Sequence, residues 1–476
     1  MAPSPTGEFH IGSMRTLMYN WALARNLGGE FIIRIEDTDK ERYVEGAVQR
    51  MLSVIKEYGF DWDEGPQVGG KYGPYVQSER LDIYKKYALE LVEKGKAYYC
   101  FCTEERLEKL REQQRKEKKP VTKYDRLCLN LSKEEIEKNL KEGKPHVIRM
   151  RIPDNELIEV EDLILGKMTF PSNDVDDQVI LKSDGFPTYH LGVVVDDHLM
   201  EITHILRGRE WLASTPKHVL LFRAFGWKEP LFAHLPVLRE VDSTKKMSKR
   251  LGDVGAADFL KAGYLPEALD NFLMFLGWNP GTEKELYTLD EFVKDFSIEK
   301  IQKSEMSAFD RQKLSWFNGL YIRNTPLDKL LERIGEWHEE FGVKMEYGKF
   351  GKEFDLKVLS LVQERMRTLA EFNDVTSYFY NRPVVDSAKF ADFSEKYKEI
   401  IKNYLGVYEH ISDDEWEKDT LDKISHEKLP EWDYKPKEAF MTLRYAVCGT
   451  EFTPPLFDVF NLIGKKETID RLKVVL

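Results

Sequence analysis

Two short clusters in the chain carry residue types suited to handling phosphate. His10-Ile11-Gly12 follows a rigid Pro3-Ser4-Pro5-Thr6-Gly7 loop and stands where that loop enters a helical run. A helix start exposes backbone N–H groups and the positive end of the helix dipole, so anions are favoured there. An imidazole at that point can donate to a nucleotide phosphate, and Gly12 removes the side chain that would keep the base from the backbone. A lone H-I-G triplet is more simply read as an ordinary capped helix. The second cluster, KKMSKRLG, places Lys245, Lys246, Lys249 and Arg250 in a short loop after a buried apolar stretch. Such a loop can bring cations to a developing phosphate charge. A solvated basic turn is the plainer alternative.

The elements that must hold these clusters follow from apolar spacing. Met14, Leu17, Met18, Trp21, Ala22, Leu23 and Leu27 recur at helical intervals, and Gly28-Gly29 supply a stop. Phe31-Ile32-Ile33-Arg34-Ile35 predicts a buried strand, and Asp39 is placed to cap a second helix through Val54-Ile55. Loop, helix, strand, helix is the pace of an α/β sheet. A helical run near Leu81 to Val92 leads into Tyr98-Tyr99-Cys100-Phe101-Cys102, and residues 104–123 read as an exposed charged helix and loop. Residues 147–180 contain short apolar pieces such as VIRMRI and GKMTF, the pattern of small antiparallel strands in an inserted α+β module. YHLGVVVDDH and ITHILRG then resume buried-strand character, and HVLLFRAFGW predicts an amphipathic helix ending near Gly226. Beyond about Leu320 the patterns are helical with charged faces, without repeats or low-complexity tracts.

Composition bounds the class. At 476 residues two to four domains are expected, and 42% hydrophobic residues is ordinary for a globular chain. No apolar run reaches the roughly 18 residues of a membrane span, and the start lacks a signal-peptide pattern, so a cytoplasmic protein without membrane contact is expected. Cys100, Cys102, Cys128 and Cys448 are too few and uneven for a disulfide framework. A net charge of −12 gives no global attraction to nucleic acid, so any RNA site must be a local basic surface.

Together and in this order the two clusters resemble the HIGH and KMSKS elements of class I aminoacyl-tRNA synthetases. APSPTGEFHIGSMRT, RIEDTD, YGPYVQSERLDIY, SDGFPTYHLGVVVDDH, ILRGREWLASTP and KMSKR, spanning residues 2–250, resemble the glutamyl-tRNA synthetases of bacterial type. NFLMFLGW and WFNGLYIR resemble the stem-contact and anticodon regions less sharply. The resemblance implies a multidomain α/β plus all-α chain: a Rossmann-type parallel-sheet catalytic domain in residues 1–80 and 188–240, an acceptor-end-binding insertion in 81–187, a stem-contact domain with the KMSKR loop in 241–322, and a helical anticodon-binding region in 323–476. It implies ATP-dependent activation of L-glutamate to glutamyl-adenylate, with Mg²⁺, and transfer to the 3′ adenosine of tRNA(Glu) by a monomer. In class I enzymes the 2′-hydroxyl is the first acceptor, and members of this family usually require bound tRNA before activating glutamate. His10, Lys246 and Lys249 then take the catalytic role, and His10, Gly12, Trp211, Lys246, Met247, Ser248 and Lys249 hold ATP. Glutamate falls to Ala2, Ser4, Glu36, Tyr189, Val193 and Arg207, with Arg207 pairing a carboxylate and Glu36, Ser4 and the Ala2 backbone holding the amino group. A structural Glu36–Arg207 ion pair is the alternative. His190, Asp196, Asp197 and His198 are read as sheet-end residues of the same cleft rather than a metal cluster.

Two departures touch the amino-acid pocket. Such synthetases usually carry residues before APSPTG that form a first strand and supply another arginine, whereas this chain begins Met1-Ala2-Pro3; either the start lies upstream or that arginine is absent. Val193 stands where many relatives have asparagine. Some bacterial relatives bind zinc through C-x-C and a later cysteine with histidine or tyrosine, which here implies Cys100, Cys102, Tyr124 and Cys128 around a structural Zn²⁺, with Asn130 in the histidine's place. Three reduced cysteines in a small core are the alternative. Gln363 occupies the place where glutamate-only relatives have an arginine that rejects tRNA(Gln), implying an enzyme that charges tRNA(Gln) as well; a surface glutamine on a helix is the alternative. The rival to the whole reading is a catalytically impaired, synthetase-like tRNA-binding protein.

Overall fold

The structure, a computed structural model, describes residues 1–119, 121–247, 254–344 and 347–476. The chain divides into two compact units, Met1–Asp258 with Asp270–Asp310, and Phe259–Leu269 with Arg311–Leu476.

The first unit carries the strands: β1 (Ala97–Cys100), β2 (Val147–Met150), β3 (Leu157–Asp162), β4 (Gly166–Pro171), β5 (Val179–Leu181), β6 (His204–Gly208), β7 (Leu231–Leu235), β8 (Val237–Glu240) and β9 (Met306–Phe309). They form sheets in the orders β1-β2-β5, β4-β3-β7-β6 and β8-β9. β6 and β7 run parallel with Arg207 opposite His234, and β3 joins β7 in parallel through Asp162 and Phe232. The pieces within 147–180 are antiparallel as their alternation suggests, but they serve two sheets: β2 and β5 join β1, while the β3-β4 hairpin extends the parallel sheet.

The 31–35 run is fully buried and extended. It is hydrogen-bonded on both sides, through Arg34 N to Met1 O and Ile33 N to Glu64 O, rather than in a regular ladder. Two expectations fail locally. The second helix is Ala47–Glu57, capped by Gly46 at φ 73°, and Asp39 instead bonds Arg42 in a preceding turn. YHLGVVVDDH is no strand but the helix Tyr189–Leu199. Three consecutive β-branched valines mimic a strand, but a short apolar run cannot by itself be told from a buried helix. Its helical period puts Leu191, Val194 and Val195 in the core while Tyr189, Val193 and Asp197 line a cleft.

The second unit is all helical among the described residues. Its core collects Val358, Leu359, Val362, Phe372, Tyr404, Tyr408, Leu443 and Phe460. FDLKVLSLVQERMRTLAEF is not one helix: Lys352–Val362 ends in a tight turn at Gln363–Arg365, and Met366 leaves it extended and fully buried.

Candidate active site

One cleft of about 2180 Å³ in the first unit gathers most of the expected residues: Ala2, Ser4, His10, Gly12, Glu36, Tyr189, Val193, Arg207, Trp211, Lys246 and Met247 all line it. Ser248 and Lys249 lie outside the described residues.

His10 caps the helix Ile11–Asn26, its Nδ1 accepting from Gly12 N at 2.9 Å. With Nδ1 an acceptor, the proton of a neutral ring sits on Nε2, which makes that nitrogen a donor. The helix is tied to the sheet by Asn20 Nδ2, which donates to Leu206 O at 3.0 Å, one residue before Arg207. Both flanks of the 248–253 segment are anchored beside this helix start. Met247 N donates to Leu238 O on β8, while Ile11 N donates to Val254 O and Ala256 N to Phe9 O. Lys246 reaches Glu210 at 2.5 Å and remains half exposed. The Trp211 ring lies 4.7 Å from that of Tyr189 and is 42% exposed, open to stacking by a base.

Glu36 and Arg207 do not pair with each other. Glu36 joins Arg34, which also meets Asp197 at 2.9 Å and Asp196 at 3.5 Å, all four groups buried. Burial pushes the Glu36 carboxyl up to about 7 against the opposing pull of Arg34, and raises Asp197 as well. Arg34 and Glu36 share a side because alternate residues of an extended segment do so. Asp196 faces away from the cleft, bonding Gln77, Arg80 and Tyr84, and His198 stacks on Trp227, so neither serves as a cleft-lining residue. Arg207 is buried and held by Tyr189, His234, His218 and Thr215. Among the described residues no carboxylate lies within ion-pair distance of it. Arg34, Glu210, Thr215, His218 and His234 were missed in the sequence. Arg34 stood inside the RIEDTD block, but the histidines carry no local signal, because register and helix packing alone bring them to Arg207.

A second cluster opens on the same cleft through Cys100 and Cys102. The Cys100, Cys102 and Cys128 sulfurs lie within 4.8 Å of one another. The Tyr124 hydroxyl is 3.5 Å from Cys100 and 3.3 Å from Cys102. β1 stops at Cys100, so Cys102 converges from beyond the strand rather than along it. Ligand atoms around a tetrahedral zinc stand about 3.5–4 Å apart, so these four donors fit that ion without large movement. A hydrogen bond from Cys128 holds the Cys100 thiol below its usual value, against burial. Asn130 shares a short turn with Cys128.

In the second unit Gln363 is half-buried rather than a free surface side chain. Its Nε2 donates to Ile322 O and Thr325 O at 2.8 Å, and to Arg323 O at 3.3 Å, closing the end of the helix Arg311–Asn324.

A helix start at His10 and the cation of Lys246, lining one cleft, are features that a class I tRNA synthetase would place together. A family model described as "tRNA synthetases class I (E and Q), catalytic domain" matches residues 1–316, and one described as "Anticodon binding domain" matches residues 329–476. The chain belongs to this family. It is 42% identical to a protein of Clostridioides difficile (strain 630) named glutamate–tRNA ligase, over 100% of this chain and 98% of that one. A protein of the same name from Clostridium botulinum (strain Eklund 17B / Type B) is 43% identical, over 99% and 96%. A crystal structure of a glutamate tRNA ligase from Elizabethkingia meningosepticum CCUG26117, in complex with its amino acid, superposes with a TM-score of 0.87 at 32% identity, covering 100% and 98%. Among the described residues no helix is long and apolar enough to cross a membrane.

Proposed function

We infer that the chain ligates L-glutamate to tRNA at the expense of ATP. The observation that carries this reading is the one cleft lined together by His10, Lys246, Glu36 and an Arg207 that no carboxylate among the described residues pairs. Attack of the glutamate carboxylate on the ATP α-phosphate yields glutamyl-adenylate and pyrophosphate. The ribose hydroxyl of the terminal adenosine then attacks the acyl group and releases AMP. Negative charge builds on phosphate oxygens in the first step, where the His10 Nε2 proton and the ammonium groups of Lys246 and Lys249 stabilise it. Mg²⁺ accompanies ATP, Gly12 and Met247 give the adenosine close backbone approach, Ser248 belongs to the same loop, and Trp211 stacks on the base. Arg207 takes a substrate carboxylate with the Tyr189 hydroxyl beside it; Glu36, Ser4 and the Ala2 backbone take the ammonium, with Val193 as an apolar wall.

Residues 81–187 receive the acceptor end, 241–322 the stem and 323–476 the anticodon. Cys100, Cys102, Tyr124 and Cys128 hold a zinc ion that staples the segment around β1 and supplies no catalytic chemistry. A monomer working in the cytoplasm completes the reading. Aminoacylation with glutamate and purified tRNA(Glu) tests it: formation of glutamyl-tRNA that His10→Ala abolishes is expected, and tRNA binding without any charging would select the catalytically impaired alternative.

For tRNA choice the reading includes tRNA(Gln) as a substrate. Gln363 is uncharged and its amide is occupied by three carbonyls, so it offers no long cation to exclude a base. Charging of purified tRNA(Gln) with glutamate is expected, and its absence would refute this part alone.

A further inference from the structure

Arginine nitrogens only donate hydrogen bonds, so every group that accepts from Arg207 has its own protonation fixed. Arg207 Nε donates to His234 Nε2 at 3.1 Å, which makes Nε2 a lone-pair acceptor and puts the only proton of that imidazole on Nδ1. His234 Nδ1 in turn donates to Asp162 Oδ2 at 2.6 Å. On the other side Arg207 Nη1 meets His218 Nδ1 at 3.2 Å, so His218 also accepts, and its Nε2 proton points to His190 Nδ1 at 3.0 Å. Thr215 Oγ1 receives Nη2 at 2.8 Å. Both imidazoles must therefore be neutral. A cationic ring would aim an N–H at a guanidinium N–H. Burial, which lowers the proton affinity of both rings, acts in the same direction, for His234 against the pull of Asp162.

The consequence is a buried cation whose hydrogen bonds are satisfied but whose charge no carboxylate among the described residues pairs. Arg34, buried in the same cleft, pairs instead with carboxylates. We propose that His218 and His234 are positioning residues that hold Arg207 by neutral acceptors, reserving its charge for a substrate carboxylate, and that Asp162 fixes the His234 tautomer this requires. The proposal deepens, and rests on, the reading of Arg207 as a carboxylate site. The device explains why two neutral rings, rather than an aspartate, back this arginine: an acid there would quench the charge before the substrate arrived.

The test compares KM for glutamate, KM for ATP and kcat in tRNA aminoacylation. His218→Leu removes one acceptor and should raise KM for glutamate about tenfold, whereas His218→Asn, whose Oδ1 replaces Nδ1 as acceptor, should restore it to within about threefold. His218→Asp supplies the quenching charge and should raise KM for glutamate about 100-fold with KM for ATP little changed. Asp162→Asn keeps an oxygen for the Ile164 and Leu165 N–H groups but turns an amide donor to His234, forcing the wrong tautomer. It should act like His218→Leu, and it provides an independent route if an aspartate at 218 prevents folding. Unchanged glutamate KM in both His218→Asp and Asp162→Asn overturns the proposal, as does a parallel rise of glutamate and ATP KM in every variant. Arg207→Met separates the two levels: wild-type glutamate KM in that variant defeats the carboxylate reading itself. Loss of binding there with wild-type behaviour of both His218→Asp and Asp162→Asn defeats only the positioning role.

Discussion

Two of the buried arginines that line the cleft, Arg34 and Arg207, have opposite surroundings. Arg34 is met by the three carboxylates of Glu36, Asp196 and Asp197, whereas Arg207, equally buried, is met by two imidazoles and two hydroxyls. Residue type and burial are the same, so the neighbours decide the role. Arg34 is compensated within the fold, whereas Arg207 is hydrogen-bonded by neutral groups and keeps its charge for an anion.

The largest effect should come from breaking that asymmetry at the scaffold end. Arg34→Met leaves Glu36 and Asp197 buried without their cation, while Asp196 keeps Arg80, and should cost about 3–5 kcal/mol in denaturant unfolding. Arg207→Met, which removes an unpaired buried charge along with its hydrogen bonds, should cost less than Arg34→Met in the same measurement while abolishing glutamate binding. Equal losses of stability would erase the distinction. Next come the phosphate-facing groups: His10→Ala and Lys246→Ala should each lower kcat about 100-fold or more with folding intact, read by ATP–pyrophosphate exchange in the presence of tRNA.

Glu36 sharpens the comparison through pH, since burial lifts it from its usual 4.5 to about 7. Between those values the folded chain retains a proton that the unfolded chain releases. Its contribution to stability is therefore full at low pH and declines as pH rises towards 7. Glutamate's ammonium needs the ionised carboxylate, so kcat/KM for glutamate should rise over that interval while stability falls. Glu36→Gln should flatten both curves, and a wild-type profile that does neither would remove Glu36 from the amino-group role.

Zinc tests the second cluster without touching either arginine. Metal analysis of protein purified without chelator should find about one zinc per chain, lost in Cys128→Ser, with thermal stability falling on chelation. Only trace metal would leave three thiols in a small core. The smallest effect is expected at Gln363→Ala, about 1 kcal/mol from an unsatisfied helix end, measured by unfolding.

Particular residues show where sequence reading reaches its limit. The helices at Ile11–Asn26 and Thr215–Phe225 were legible because apolar spacing and glycine stops are local signals. The Tyr189–Leu199 helix was not, because Val193, Val194 and Val195 suit a strand until packing selects the helix. Asp39 had the right chemistry for a cap, but the chain turned before the helix began. Gln363 was legible as a position and illegible as a contact, since its three carbonyl partners come from residues some 40 positions earlier.

By itself the sequence determined the class of the protein. His10, Gly12 and Lys246 stand in loop and helix-start geometry that neighbouring residues specify, and Glu36 and Arg207 stand in blocks that keep their own spacing. The tertiary structure decided which of its buried arginines is neutralised. β6 and β7 must pair in register to set His234 against Arg207, and the helix Thr215–Phe225 must pack over them to deliver Thr215 and His218. Charge compensation is a property of what surrounds a group in space, and a linear spacing carries no record of it.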